Sequence, residues 1–317
     1  MLDDYRIQLL QFWSAPFYLV LILAEIVISN FSRRGFYSFK ETLMNVYLNL
    51  ANAGIDLLFR GVGLFIITFF FTHRWLDFPH ETWYWPVLFL LVDLSFYFEH
   101  RVDHFCRFFW AVHVTHHSSE EFNLTTGFRS SVFMPLYKCF YLAPIALLGF
   151  EPVDIYLMFA VIQIYGIIVH TQMVKKLPAW IEAVFVTPSH HRVHHASNVR
   201  YLDKNMGMTL IIWDKLFGTF EEEKDFDPVK FGLTTPLPDP HHPVKIVFHE
   251  WVAISRDLKR RDIGLMNRLR YLFNPPGWSH DGSTKTAKVM QEELQREEER
   301  LGSPLPVHEV NAKENNR

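Results

Sequence analysis

The stretch "YWPVLFLLVDLSFYFEHRVDH", residues 84–104, runs from an apolar segment directly into two histidines four positions apart. Between 84 and 98 the only charged side chain is Asp93. If one helix continues through both halves, His100 and His104 share a face. An apolar rod of this kind delivers imidazoles at its end. That pairing of a lipid-compatible segment with metal-type ligands frames the rest of the chain.

Working outward, similar apolar runs recur. A helix crosses the hydrocarbon layer with about 20 mostly apolar residues. The segment "FWSAPFYLVLILAEIVI" (12–28) is one candidate, in which Glu25 must face protein or an interface. A second is 43–71, where Asp56 and Arg60 lie on one helical face and can pair. The third is 84–98. The runs "VFMPLYKCFYLAPIALLGF" (132–150) and "PVDIYLMFAVIQIYGIIV" (152–169) are joined so tightly that a helical hairpin follows. Buried core helices of a soluble protein are the competing reading. Basic residues favour the cytoplasmic side. Arg33, Arg34 and Lys40 follow the first run, and Lys175, Lys176, Arg192, Arg200 and Lys204 follow the fifth. The expectation is an all-α polytopic membrane bundle of four to five spans, with a cytoplasmic histidine-rich helical cap holding two metals. A bacterial inner membrane is favoured over the endoplasmic reticulum. Three regions are expected: membrane spans over 1–99, a histidine-box catalytic region over 100–220 containing the hairpin (132–170), and a cytoplasmic region over 221–317.

Composition agrees with this frame. Of 317 residues, 49% are hydrophobic and 16% aromatic, more than an ordinary soluble enzyme carries. The net charge of −3 gives no basic footprint, so nucleic acid is not an expected partner. Cys106 and Cys139 are the only cysteines, which excludes a disulfide framework. The acidic start "MLDDYRIQLL" is not read as a removable signal peptide.

The histidines carry the chemistry. In "WAVHVTHHSSE" (110–120) His113, His116 and His117 have spacing 0, 3, 4, and in "PSHHRVHHASN" (188–198) His191, His194 and His195 repeat it. With His100, His104 and His170 they make nine candidate ligands. Structural zinc takes four ligands and catalytic zinc three, so nine imidazoles imply two ions. Imidazole suits iron, copper, nickel and zinc alike. Transporters place such groups near the bilayer midplane; these lie at or beyond helix ends. No H-E-x-x-H motif marks a zinc hydrolase. A lipid tail offers an unactivated hydrocarbon, whose attack needs a redox metal and O2, and this favours iron. His190, four before His194, competes with His191 for the third set.

These boxes, in "DLSFYFEHRVDH", "WAVHVTHHSSEEFNLTTGFRSS", "HTQMVKKLP" and "TPSHHRVHHASNVRYLDKNMGMTLIIWDKLFGTF", resemble the fatty acid hydroxylase (sterol desaturase) superfamily of membrane-bound di-iron oxygenases. The likeness runs from Asp93 to Phe220, and weakly on through "FGLTTPL" (231–237) to "PPGW" (275–278). In pattern it is nearest to the alkylglycerol monooxygenases and bacterial sterol-desaturase-like members. The resemblance implies that the nine histidines hold two Fe ions, with Zn able to replace them in purified protein. It also implies O2 as co-substrate, a lipid substrate, and hydroxylation or desaturation of a C–H position. Sterol desaturation or oxidation and fatty-acyl hydroxylation are the alternatives within that chemistry. A non-enzymatic metal-binding membrane protein or transporter is the alternative outside it. Two positions depart from the pattern: Val174 stands where some members have a second histidine, and Phe105 where ether-lipid members commonly have an acid.

Other residues are candidates for shaping the site or meeting substrate. Asp93, two turns before His100, could orient a ligand imidazole or pair within the bundle. Asn123, Arg129, His190, Asn198, Asp203, Asn205 and Asp214 lie near the boxes, and Gln163 could meet a head group. His73, His80, His241, His242, His249, His280 and His308 read as surface histidines. "ISRDLKRRDIGLMNRLRYLFNPPGW" (254–278) suits an amphipathic helix on the inner membrane face. "STKTAKVMQEELQREEERLG" (283–302) is a charged helix, and "VHEVNAKENNR" (307–317) a disordered tail. No phosphate-cradling glycine loop occurs, so electrons must come from an external donor, a separate reductase.

Overall fold

A computed structural model describes residues 5–305, and among them every regular element is helical, apart from two isolated bridges, Phe185 to Leu210 and Ala196 to Phe231. The tail 307–317, with His308, lies outside the described residues.

Two long helices open the chain, α1 (Tyr5–Phe31) and α2 (Phe39–Thr72). Ser38 caps α2 by accepting from the Glu41 amide at 3.3 Å. Both helices are long and apolar enough to cross a membrane. Their large apolar side chains point outward; Trp13, Val20, Leu57, Leu58 and Phe65 are all exposed. Exposed apolar surface of this kind marks a membrane or partner contact. Where polar groups enter the helices they are paired. Glu25 is buried and accepts from Tyr37 Oη, Thr171 Oγ1 and the Leu124 amide. Asp56 pairs with Arg60 at 2.8 Å, as the spacing predicts, and also with Lys138 at 2.6 Å.

Against α2 pack α5 (Lys138–Leu148) and α6 (Pro152–Ile168), and α3 (Tyr84–Phe105) packs on both of these. Ile67, Leu88, Val92, Phe96, Leu142, Ile145, Ile155, Phe159 and Ile162 form their shared core. The bundle has two distinct ends. At one, the α5–α6 turn lies against the α2–α3 loop. Trp75 N donates to Leu147 O at 2.8 Å, and a Cβ on Gly149 (φ +125°) would stand 2.2 Å from Leu76 O. Here too His80 Nε2 lies 2.8 Å from Asp154 Oδ2, which also accepts from Tyr84 Oη at 3.0 Å. At the other end are the histidines.

The hairpin differs from its expected form. In place of a single run over 132–150 there is a 3-10 turn, Met134–Leu136, and then an α5 of 11 residues. Pro135 stands in that turn, and Tyr137 leaves helical geometry before α5 starts. The 17 residues of α6 cover about 25 Å at 1.5 Å per residue, short of a full crossing. Of the expected spans, α1 and α2 therefore qualify by themselves, and α3, α5 and α6 stand in the bundle beside α2.

The remaining elements cap the histidine end. They are α4 (Arg107–His117), α7 (Ala179–Glu182), α8 (Pro188–His194), α9 (Ile212–Phe217), α10 (Pro243–Leu258), α11 (Leu265–Phe273) and α12 (Ala287–Leu301). Ile246 and Val247 of α10 pack on Met44 and Leu48 of α2. Arg107 ties α4 to α10 through Glu250 and Asp257, both at 2.6 Å. The amphipathic stretch 254–278 is not one helix. It divides into the end of α10 and α11, because Arg260 folds back onto Asp262 at 2.6 Å and Gly264 starts α11 in an extended conformation.

Candidate metal centre

The nine box histidines come together at one end of the bundle, in two groups. His100, His104, His113, His117 and His194 form one, and His116, His170, His191 and His195 the other. Within each group the nearest ligand atoms all lie within 4.8 Å of one another. The two groups abut: the rings of His117 and His195 stack at 4.5 Å.

Helical spacing builds this arrangement. α3 continues from the apolar run through His104 and ends at Phe105; Cys106, a free thiol in extended conformation, follows it where the chain turns into α4. On α4, His113 and His117 are one turn apart and join the α3 pair, while His116, rotated off that row, joins the other group. The same division occurs on α8, where His191 and His195 go one way and His194 the other. Each 0, 3, 4 triplet therefore straddles both groups.

Proton placement tests whether a metal fits. The Nδ1 atoms of His100, His116, His170 and His194 each lie 2.7–3.0 Å from a main-chain carbonyl, of Met206, Arg129, Gly166 and Lys204 respectively. A carbonyl only accepts, so these rings carry their proton on Nδ1 and a lone pair on Nε2. The His116 and His170 Nε2 atoms then face each other at 3.4 Å with no proton between them. His170 Nε2 also faces the Nε2 of His191 at 2.9 Å and of His195 at 3.2 Å. In the other group, His113 Nε2 lies 3.0 Å from that of His100 and 3.1 Å from that of His117. His104 Nε2 and His194 Nε2 are buried with no hydrogen-bond partner at all. Converging lone pairs repel one another unless a cation lies among them, so the donor set fits metal ions. Five imidazoles in one group exceed what tetrahedral zinc takes.

Burial holds the His116 imidazole down to about 4. For His113, His117, His191, His194 and His195, burial and then the neighbouring imidazoles hold the rings below the ordinary range. Neutral rings are the form that binds metal.

The flanking candidates fall into place differently. Asp203 does meet a box imidazole, with Oδ1 3.2 Å from His104 Nδ1. Asp93 does not touch His100. It accepts from the amides of Thr209 (3.0 Å) and Leu210 (3.1 Å) and from Trp213 Nε1 (2.9 Å). Asp93 thus holds the segment whose Met206 carbonyl receives His100. Asp214 fixes the same segment by accepting from the amides of Met206 and Gly207. His190 is turned away from both groups, with Nδ1 accepting from Thr187 N at 3.3 Å in the cap of α8. Arg129 lends its carbonyl to His116, and its fully buried guanidinium binds Glu41 at 2.8 Å. Asn205 bridges the His190 and Glu221 carbonyls, and Asn198 bridges Asp227 and Pro228. Asn123 donates to Phe36 O at 2.6 Å, in the loop after α1, and Gln163 is half-buried on α6.

Sequence reasoning missed two neighbours. Asp103 lies 3.6 Å from His113 Nδ1 and accepts from Tyr137 Oη at 2.9 Å; its place in "HRVDH", three after His100, was the available signal. Phe122 closes the second group, stacked on Phe231 at 4.8 Å and lying 5.4 Å from the His170 ring and 5.2 Å from that of His195.

Against known proteins, the fatty acid hydroxylase family model matches residues 85–219. The chain is 33% identical to alkylglycerol monooxygenase from Homo sapiens over 285 residues, covering 89% of this chain and 62% of that protein. It is likewise 33% identical to the Caenorhabditis elegans enzyme of that name, over 69% of this chain and 45% of the relative. To ornithine lipid hydroxylase OlsE from Rhizobium tropici it is 28% identical, over 51% of this chain and 49% of the relative. The chain thus spans less than two thirds of the length of these relatives. No solved structure matches.

Proposed function

We propose that this protein is a membrane-bound lipid monooxygenase that inserts oxygen into a C–H bond of an ether lipid, a reading supported by the match of residues 85–219 to the fatty acid hydroxylase family model. The nine converging imidazoles carry that reading, with the 33% identity to alkylglycerol monooxygenase as its support for substrate class. The ligands are His100, His104, His113, His117 and His194 for one ion and His116, His170, His191 and His195 for the other. Iron bound there would supply O2 activation through its change of oxidation state. One oxygen atom enters the lipid. The other leaves as water, with two protons and two electrons from an external reductase.

The chain's own residues do the rest. Carbonyls of Met206, Arg129, Gly166 and Lys204 orient the imidazoles through Nδ1 and leave Nε2 free to bind. Phe122 and Phe231 keep water from the second group. On the bundle side Phe96 lies 5.3 Å from the His100 ring and joins the core of α2, α3, α5 and α6, so apolar surface adjoins the site from the membrane direction. A hydrocarbon tail suits that side.

In this reading the protein is multi-pass: α1, α2 and α3 cross, and α5 and α6 enter as a hairpin, with the histidine end cytoplasmic. The regions 1–99, 100–220 and 221–317 serve as anchor, catalytic unit and cytoplasmic cover. In a cysteine-free background, single cysteines at the exposed positions Glu120 and Lys175 should label only from the cytoplasmic face, and one at Asp77 only from the other. Labelling of 120 and 175 from opposite faces would contradict this topology. The activity itself is tested with purified protein, O2, a reductant and matched ether- and ester-linked glycerolipids. Oxygen-dependent loss of the ether lipid is expected. Oxidation of the ester lipid on its acyl chain, with the ether untouched, would shift the assignment to an acyl hydroxylase.

A further inference from the structure

Helix α12 reaches the histidine cluster through a single loop. Gln291 Nε2 donates to the carbonyls of Val199, Arg200 and Leu202 at 3.2, 3.4 and 2.8 Å, so its two hydrogens are shared among three acceptors. Two turns further along α12, Glu298 pairs with Arg200, whose Nε also meets Asp227 Oδ2 at 3.3 Å. Leu294 lies buried between them. Positions 291, 294 and 298 make one helical face, and that face is seated on the loop.

The loop itself is strained. Asp203 (φ +54°) and Asn205 (φ +55°) both adopt the left-handed region without being glycine, and such residues persist only where surrounding contacts hold them. This segment also presents two acceptors to the cluster. Asp203 Oδ1 meets His104 Nδ1 at 3.2 Å, and Lys204 O meets His194 Nδ1 at 3.0 Å. Both rings belong to the five-histidine group. In the four-histidine group the carbonyl partners are Arg129 and Gly166, away from α12.

We propose that α12, with Gln291 as its positioning residue, sets the ring orientation of His104 and His194, and so governs metal retention at the five-histidine site but not at the other. The inference rests on the two-metal reading above. Outer partners of ligand imidazoles typically change metal affinity about 10–100-fold, which is the size of effect expected here.

The test uses the full-length protein loaded with Fe2+ under anaerobic conditions, with release followed after adding a chelator. Gln291→Glu keeps the shape of the side chain but turns a carboxylate oxygen towards three carbonyls. In this variant one of the two ions should leave at least about 10-fold faster, while the other keeps its wild-type rate. Amide exchange over 199–204 should rise, and Gln295→Glu, an exposed position on α12, should change neither. Asp203→Ala should accelerate the same ion, and the double variant should be less than additive. Gln291→Ala is the milder variant should Gln291→Glu fail to fold. Wild-type release of both ions would overturn the proposal, as would equal acceleration of both, which marks general loosening. A wild-type protein that binds no metal would instead remove the two-metal reading, and this inference with it.

Discussion

Alanine at His191, His194 or His195 is expected to reduce lipid oxidation to the background rate, while His190→Ala keeps turnover within a few-fold of wild type. Each of the first three removes a ring nitrogen from a converging set; His190 serves the cap of α8, where its Nδ1 accepts from Thr187 N at 3.3 Å. Metal content should separate the variants further. His194→Ala leaves four imidazoles in its group, enough for a tetrahedral ion. His195→Ala leaves three and should retain less metal. Detergent-stable expression should persist in all four, because the helices pack through their own apolar core. An active His191→Ala beside a dead His190→Ala would shift the third box by one residue.

The second large effect is expected at Arg129. Its guanidinium is fully buried, donating to Glu41 Oε2 (2.8 Å), Asn45 Oδ1 (3.0 Å) and Thr115 O (3.1 Å). Removing one partner of a buried pair costs about 3–5 kcal/mol where the other charge loses its compensation; here Glu41 would keep only the Ser119 hydroxyl (3.1 Å) and the partly exposed His241 imidazole (3.2 Å). Arg129→Met should therefore sharply lower thermal stability, and Arg129→Met with Glu41→Leu should recover part of the loss. The test is thermal unfolding of the three variants in detergent. A wild-type midpoint in Arg129→Met would show that Glu41 is not left uncompensated.

The parts of this molecule legible from sequence are those written in local spacing. His100 and His104 face one way because one helix carries them; Asp56 and Arg60 pair for the same reason. The parts that escaped are set by distant segments or by breaks that hydropathy ignores. Asp93 has the register to meet His100, but the donors that reach it come from Thr209, Leu210 and Trp213. The run 132–150 reads as one apolar helix, yet Pro135 stands in a 3-10 turn and α5 starts only at Lys138. The triplets 113/116/117 and 191/194/195 reveal a shared face but not its division, because that depends on which histidines of other segments each ring meets. Gln291 carried no signal at all; its role comes from a loop 89–92 positions earlier in the chain.

Metal analysis of anaerobically purified, active protein tests the central claim most directly. Nine imidazoles in groups of five and four predict two irons per chain, lost in step with activity on chelation. A fully active preparation containing one tightly held zinc and no iron would contradict it.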